Sequence, residues 1–361
     1  MNHFYTLKVA KIQKVTDEAV RINFEIPSSI QDKFKFKQGQ YLNLKFNFGE
    51  EEFRRSYSII DAPSENSQTL SILVKQMENG TISTFLNQNL KENDEVEVQQ
   101  PMGNFCTNYH VSNHKNYVGI AAGSGISPVL SNLKEALFQE PNAKVLLFFG
   151  NKDSQNILLK EELDALKERF PERFQVTHVL SREPQEDALF EGRITTEKLG
   201  QLLDKNFEIK PEDSTFFICG PTEMIKSTSD FLKKERKVPA LQVLYEYFSA
   251  PDDEDNAEMS EEFKKIPNLE SFVTLIIDDD EYSIHLNSKK ESILDKALKE
   301  NLPVPFACKG GVCCTCKAQV MEGEVFMEKN FALTEDEVAR GFVLTCQCHP
   351  TTNIVMLNYD V

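Results

Sequence analysis

The chain has 361 residues, 40% of them apolar and 27% charged, a globular balance that excludes a mostly disordered polypeptide and leaves room for two or three hydrophobic cores. Its 40 Lys and Arg stand against 57 Asp and Glu, a formal net charge of −17, which excludes nucleic acid and anionic membrane as partners held by the overall field. The charge is uneven, because residues 249–361 hold 10 basic and 22 acidic side chains.

No stretch reaches the ~20 apolar residues that span a bilayer. The opening Met1-Asn2-His3-Phe4-Tyr5 lacks the charged-then-apolar layout of a signal peptide, so a cytoplasmic protein is expected. In such a chain eight cysteines argue against disulfides, and six of them crowd between Cys308 and Cys348, which suggests metal chemistry.

Residues 1–110 alternate with the period of half-buried strands, as in Tyr41–Phe46, Ser56–Ile60, Thr69–Lys75 and Glu95–Val98. One helical pattern, Thr81–Leu90, interrupts them, and a small barrel is expected. Within it lies Arg54-Arg55-Ser56-Tyr57-Ser58-Ile59. Alternation puts Arg55 and Tyr57 on one face, where a guanidinium can fork onto a pyrophosphate and a ring can cover an isoalloxazine. The Ser58 hydroxyl can reach a flavin nitrogen. Gly80-Thr-Ile-Ser83-Thr84 opens the helix and offers free N–H groups to phosphate. Taken singly, each motif also fits an ordinary exposed strand or helix start; their order and separation favour a flavin site.

From 111 to 249 the rhythm becomes strand–helix alternation. Strands are expected at Tyr117–Ala122, Val145–Gly150, Phe174–Leu180, Thr215–Cys219 and Gln242–Phe248. Helices are expected near Pro128–Gln139, Leu159–Phe170, Thr195–Leu203 and Thr222–Lys234, giving an α/β domain with a parallel sheet. Gly123-Ser124-Gly125-Ile126-Ser127-Pro128 follows the first strand and opens a helix, a turn suited to a nucleotide pyrophosphate, although a plain strand–helix turn has the same look. Cys219-Gly220-Pro221 ends a later strand at the same edge; its thiol either packs in the core or faces a nicotinamide. Ser181 and Arg182, with Arg193, suit a 2′-phosphate and favour NADPH over NADH, against the alternative of a solvated loop.

Residues 250–268 read as an acidic linker, since Pro251–Phe263 holds seven acidic and no basic side chains. Residues 269–361 form an α+β module with strands at Ser271–Ile277 and Tyr282–Leu286, a helix near Ser292–Asn301, and strands at Lys317–Val320 and Ile354–Leu357. Its loop Cys308-Lys-Gly-Gly-Val-Cys313-Cys-Thr-Cys316 has the C-x4-C-x2-C spacing of plant-type 2Fe–2S ferredoxins. Zinc is the competing reading, but it prefers C-x2-C pairs twice over. Thr345-Cys346-Gln347-Cys348 offers two candidates for the fourth thiolate.

With these motifs in this order, the chain resembles the ferredoxin–NADP reductase superfamily with a plant-type ferredoxin (a β-grasp domain) fused behind it. The resemblance implies a multidomain reductase that passes electrons from NADPH via FAD and a 2Fe–2S cluster to an oxygenase partner. A multicomponent monooxygenase is the first candidate acceptor, with a ring-hydroxylating dioxygenase or a desaturase as alternatives. A flavin-free protein with a structural metal is the rival from another class, and FMN is the alternative flavin. Residue by residue, the resemblance implies that Arg55, Tyr57, Ser58 and Ser83 hold the flavin, together with Ile59, Gly80 and Thr84. Gly123, Ser181, Arg182 and Arg193 would hold the nucleotide, together with Gly125, Cys219, Gly220 and Pro221. It implies catalytic parts for Tyr57, Ser58, Cys219, Glu246 and Phe248, the last as the aromatic cover of the flavin in Glu246-Tyr247-Phe248. The Leu344-Thr345-Cys346 setting selects Cys346, so that Cys308, Cys313, Cys316 and Cys346 ligate the cluster while Cys314 and Cys348 are spare.

Overall fold

The structure, a computed structural model, describes residues 3–65, 68–113, 115–206, 210–250 and 261–360. It divides into two compact units, one built on Tyr5–Phe53 and Tyr57–Phe248, the other on Ser249–Val361. Most of the acidic linker, residues 251–260, lies outside the described residues; 261–265 form a short helix.

The first unit opens with a six-stranded sheet: β1 (Phe4–Thr16), β2 (Ala19–Glu25), β3 (Tyr41–Phe48), β4 (Glu51–Ser58), β5 (Thr69–Lys75) and β6 (Glu95–Gln99). Its order is β4-β3-β6-β1-β2-β5. An isolated bridge, Ile59 to Ile72, joins the chain just past β4 to β5 at the other end of that order and closes the sheet into a barrel. Inward residues such as Leu7, Ile22, Phe24, Leu42, Ile72 and Val98 fill it. The strand expected at Ser56–Ile60 instead starts at Glu51, because charged Glu51 and Glu52 sit beyond a turn at Gly49 (φ +65°), and pairing with β3 outweighs their polarity. Helix α1 (Thr81–Gln88) packs beside β5.

The second half of this unit is a parallel sheet of β7 (Asn116–Ala122), β8 (Lys144–Asn151), β9 (Phe174–Leu180), β10 (Ser214–Cys219) and β11 (Val243–Glu246), in the order β11-β10-β7-β8-β9. The strand order reverses on either side of β7, so the carboxyl ends of β7 and β10 form the crevice where such sheets take ligands. Helices α2 (Ile126–Gln139) and α3 (Lys160–Arg169) pack with one apolar cluster, and α4 (Thr196–Lys205) and α5 (Thr222–Lys234) with the other.

Helix α2 is buried almost all round, with 12 of its 14 residues inside. Val129, Leu130 and Leu133 face the sheet, while its polar side chains bond to the barrel half. Ser131 Oγ donates to the Asp61 carbonyl at 2.6 Å, and Asn132 Nδ2 donates to the Phe105 carbonyl at 2.9 Å. Lys134 Nζ, 1% exposed, lies 2.7 Å from Glu65 of the barrel half and 2.7 Å from Glu162 of α3. Arg21 of β2 bridges Glu162 at 2.9 Å and Asp61 at 3.0 Å. Burial pulls the Lys134 ammonium down, but Glu162, Glu65 and Asp61 outweigh it and hold the group above its usual range.

The second unit carries α6 (residues 261–265), β12 (Glu270–Ile277), β13 (Asp280–Asn287), α7 (Ile293–Lys299), β14 (Lys317–Glu322), β15 (Val325–Met327), α8 (Glu335–Ala339), β16 (Phe342–Leu344), β17 (Cys348–Pro350) and β18 (Ile354–Asn358). One sheet runs β13-β12-β18-β14-β16, with β12 and β18 parallel, and β15 pairs with β17. Ile293, Leu294 and Ala297 of α7 belong to the core shared with Val273, Leu275 and Leu357 of this sheet.

Removing one member of a buried ion pair strands the rest of it. Lys134→Met is therefore expected to destabilise the first unit by about 3–5 kcal/mol. Denaturant melts of the variant and the parent check this, and a loss below about 1 kcal/mol would mean that the pair behaves as an exposed one.

Candidate functional site

At the carboxyl edge of the parallel sheet two glycine turns meet. A Cβ at Gly125 would lie 2.2 Å from the Cys219 carbonyl oxygen, so only glycine lets the turn after β7 rest on the end of β10. Gly123 has φ +55° and open space around its missing side chain, which leaves the outer side of the turn free at the start of α2. At Gly220 (φ +157°) a Cβ would lie 2.7 Å from Met224 and 3.2 Å from Ala122, a looser approach, and Pro221 precedes α5. Two buried polar atoms at this edge, Ser127 Oγ in the first turn of α2 and Asn151 Nδ2 at the end of β8, have no hydrogen-bond partner among the described residues. An open turn over a helix N-terminus with orphaned donors nearby fits a phosphate-bearing ligand. Sequence alone singles out neither Ser127 nor Asn151, because a hydroxyl or amide inside an apolar pattern looks like packing.

Further along the edge, Ser181 Oγ donates to the Asn151 carbonyl at 3.2 Å, and the Arg182 and Arg193 side chains are exposed. Gly192, beside Arg193, has φ +90°.

The barrel half brings its own residues to this crevice. Ser58 at the end of β4 is buried, and its hydroxyl lies 3.4 Å from Glu246 Oε2. Glu246 is paired in register with Cys219, so strand pairing sets carboxyl and thiol side by side, and Ser58 brings the hydroxyl from the barrel half. Burial raises the Glu246 carboxyl from 4.5 to about 8 against the Ser58 hydrogen bond, which lowers it. Burial and the Glu246 charge push the Cys219 thiol well up. At neutral pH the spot therefore carries proton donors and no net charge, a setting that admits an aromatic ring. Tyr57 packs partly buried against the barrel core, Arg55 is exposed and donates to the Arg54 carbonyl, and Phe248 is 46% exposed beyond β11. Ile59 lies wholly in the barrel core with its N–H on the Gln40 carbonyl, so its side chain builds the barrel.

At α1, a cavity of about 370 Å³ is lined by Phe48, Asn79, Gly80, Thr81, Thr84, Phe85 and Asn89. Gly80 is the N-cap residue, and no side chain caps this helix start. The Ser83 hydroxyl is turned inward, accepting from the Met77 N–H at 3.0 Å and lying 3.3 Å from the Gly80 carbonyl. It shapes the loop, while Gly80, Thr81 and Thr84 face the cavity. An uncapped helix start with aromatic walls suits a ring system that carries phosphate.

In the second unit the loop between α7 and β14 supplies Cys308, Cys313 and Cys316, the turn between β16 and β17 supplies Cys346, and the thiols gather in two pairs. Cys313 Sγ lies 3.0 Å from Cys308 Sγ, and Cys316 and Cys346 are hydrogen-bonded partners. Among the described residues no three His, Cys, Asp or Glu converge as on a single ion. Two pairs are instead what a two-iron cluster requires, each tetrahedral iron taking two thiolates and two bridging sulfides. The Cys308 thiol is lowered to about 6 by the Cys313 thiol, with the backbone N–H groups of Gly310, Val312 and Cys313 adding to it. Lys309, at φ +52°, turns the chain back so that the Gly310 N–H reaches Cys308 Sγ at 3.4 Å, and Gly311 at φ +74° continues the turn. Gln347, which no sequence motif marks, donates to the Lys309 carbonyl at 3.0 Å and reaches Cys346 Sγ at 3.6 Å. Cys314 turns to the Ala332 carbonyl, and Cys348 is fully buried.

Three family models match the chain: an oxidoreductase FAD-binding domain over residues 6–107, an oxidoreductase NAD-binding domain over 120–230 and a 2Fe-2S iron-sulfur cluster binding domain over 275–351. One of the subunits of 1,2-phenylacetyl-CoA epoxidase from Escherichia coli is 36% identical, the match covering 100% of this chain and 99% of that one. The chain belongs to this reductase family. It is an oxidoreductase of the ferredoxin–NADP reductase superfamily with FAD, NAD and 2Fe–2S domains. The ferredoxin reductase component of a 3-ketosteroid-9-alpha-monooxygenase from Rhodococcus rhodochrous is 28% identical over 98% of this chain and 96% of its own. Phthalate dioxygenase reductase shares the fold at TM-score 0.58 and 21% identity, covering 99% of this chain and 98% of that one. Among the described residues no helix is long and apolar enough to cross a membrane.

Glu246 makes a pH prediction. Its folded value of about 8 exceeds the unfolded 4.5, so between those values the folded chain keeps a proton that the unfolded chain has released. Its stabilising contribution is complete below the lower value, declines as pH rises and is gone above about 8. Glu246→Gln should remove that part of the slope in a pH series of thermal melts; a slope equal to the parent's would place the carboxyl in water.

Proposed function

We propose that this chain carries electrons from NADPH through FAD and a 2Fe–2S cluster to the oxygenase component of a phenylacetyl-CoA epoxidase or a similar multicomponent monooxygenase, working in the cytoplasm. The observation that carries the reading is the end-to-end match to a component of such an epoxidase, together with two thiol pairs on the cysteine loop. The lower identity to a steroid monooxygenase reductase keeps other oxygenases as the second choice of acceptor.

Bound flavin accepts a hydride and releases electrons singly, and the cluster accepts one at a time. The chain's part is to hold and orient. Arg55, Tyr57, Ser58, Gly80 and Thr84 would hold the flavin, with Ser58 supplying a hydroxyl beside its reactive edge, while Ile59 and Ser83 support that site from the barrel core and the helix-start loop. Gly123, Gly125, Gly220 and Pro221 would bring backbone to the nucleotide pyrophosphate, with Ser181, Arg182 and Arg193 at the 2′-phosphate. Cys219 and a protonated Glu246 would flank the nicotinamide, and Phe248 would cover the flavin until that ring enters. Cys308 and Cys313 would ligate one iron, Cys316 and Cys346 the other.

The holoprotein should show flavin and iron–sulfur absorption that bleaches on anaerobic addition of NADPH. A colourless, zinc-containing protein would falsify the proposal. Cys346→Ser should abolish bound iron and the reduced-cluster electron paramagnetic resonance signal, whereas Cys348→Ser and Cys314→Ser keep both; loss in Cys348→Ser alone would move the fourth ligand. Arg182→Ala should erode the preference for NADPH over NADH in steady-state rates, and an unchanged ratio counts against the phosphate pocket.

A further inference from the structure

Next to the residues assigned above, one charged cluster of the first unit holds more cations than its carboxylate balances. Glu18 stands in the tight turn between β1 and β2. Its Oε2 lies 2.8 Å from Lys152 Nζ and 4.0 Å from Lys75 Nζ. Lys75 ends β5 on the barrel, in register with Ala19 beside Glu18. Lys152 follows β8 at the carboxyl edge of the parallel sheet, and its carbonyl accepts from the Arg182 N–H at 2.7 Å. The Arg182 charge reaches both Glu18 and Lys75. Two ammonium groups, one from each half of the unit, thus share one carboxylate, with the Arg182 backbone bonded to Lys152, at the edge where a nucleotide would lie.

The surplus is felt by its members. Burial, then the charges of Lys152 and Arg182, hold the Lys75 ammonium below its usual range, while the Lys152 hydrogen bond keeps the Glu18 carboxyl low and ionised. The side chains of Lys152 and Glu18 are 34% and 48% exposed, so an anion from solvent can reach the cations.

We propose that Glu18 is an internal counter-anion of the nucleotide site, which holds Lys152 and Lys75 in the absence of nucleotide and yields them to a phosphate group of the entering dinucleotide. The inference rests on the nicotinamide-nucleotide reading given above. A phosphate offers more charge and three acceptor oxygens, so it takes the cations from a carboxylate, but the carboxylate must let go first. Glu18 therefore sets nucleotide affinity from the barrel side of the crevice, opposite the residues that bind.

The test is steady-state and anaerobic flavin reduction of the holoenzyme by NADPH and by NADH, at one ionic strength, in the parent, Glu18→Gln and Lys152→Gln. An exposed pair of this kind is worth about two- to fivefold in an equilibrium. Glu18→Gln should lower KM by about that factor and Lys152→Gln should raise it, with the change carried by KM. A gain for NADPH alone assigns the 2′-phosphate to the cluster and an equal gain for both assigns the pyrophosphate; either sustains the proposal. A Glu18→Gln enzyme with full flavin content and unchanged or higher KM for both nucleotides overturns it. A parent enzyme that neither nucleotide bleaches overturns the functional reading itself, and that result comes from a different sample.

Discussion

The first unit depends on one ammonium group out of water. Lys134 Nζ reaches Glu65 on the barrel side and Glu162 on α3, and Arg21 extends the chain of ion pairs from Glu162 to Asp61. A buried charge tolerates no sliding, because each ångström of displacement strands it in a medium that cannot solvate it. The apolar face of α2 can slip on the sheet with small loss; its ionic face cannot. Since α2 begins at the Gly123–Gly125 turn, holding the helix also holds that turn against Cys219. The 3.4 Å approach of Ser58 to Glu246 across the two halves follows from the same constraint. Specificity of arrangement, rather than net stability, is the best account of why so polar a contact is kept inside.

The cysteine loop meets the same problem with neutral groups. Tyr359, just past the last strand, donates to Thr345 Oγ1 at 2.9 Å, and Thr345 Oγ1 lies 3.0 Å from the Cys316 carbonyl. Gln347 ties the other limb of the loop to Lys309. These bonds come from segments far apart in sequence and lie in the interior, where each is stronger than in water. A loop held at both limbs moves little when the charge on its sulfurs changes, and that is what repeated single-electron transfer demands.

Much of this is legible in the sequence, for physical reasons. The parallel sheet announces itself because strand and helix periods alternate over whole elements, and Phe174–Leu180 and Thr222–Lys234 have the expected limits. The cysteine spacing survives as the Cys308–Cys313 pair because a loop short enough to write as a motif is short enough to fold locally, whereas Cys316 meets Cys346 through the pairing of β14 with β16. Elements of three residues, such as β15 and β17, carry no period at all. Helix α8 escapes a reading by periodicity although its Thr334-x-x-Glu337 capping box stands in the sequence, a signal hidden by shortness rather than absent. Glu18, Lys75, Lys152 and Asn151 escape for a deeper reason. Charges and hydroxyls at strand ends are the normal surface, and only the fold reveals that several strand ends share one edge.

That edge gives two carboxyl groups opposite tasks. On the proposed assignment Glu246 lies where a nicotinamide would approach a flavin, and burial holds its carboxyl up at about 8. A carboxylate there would oppose the arrival of electrons on the flavin; a carboxylic acid does not, and it can donate a hydrogen bond. Glu18 lies toward the end where phosphates would rest, and a lysine keeps it charged. A neutral group there would leave Lys75, Lys152 and Arg182 to repel one another. On the proposed assignment the protein thus withholds charge where electrons would move and supplies it where the ligand's anions would come and go, and the difference follows from depth: the first carboxyl is half-buried with Ser58 of the barrel beside it, the second stands in an exposed turn with water on one side.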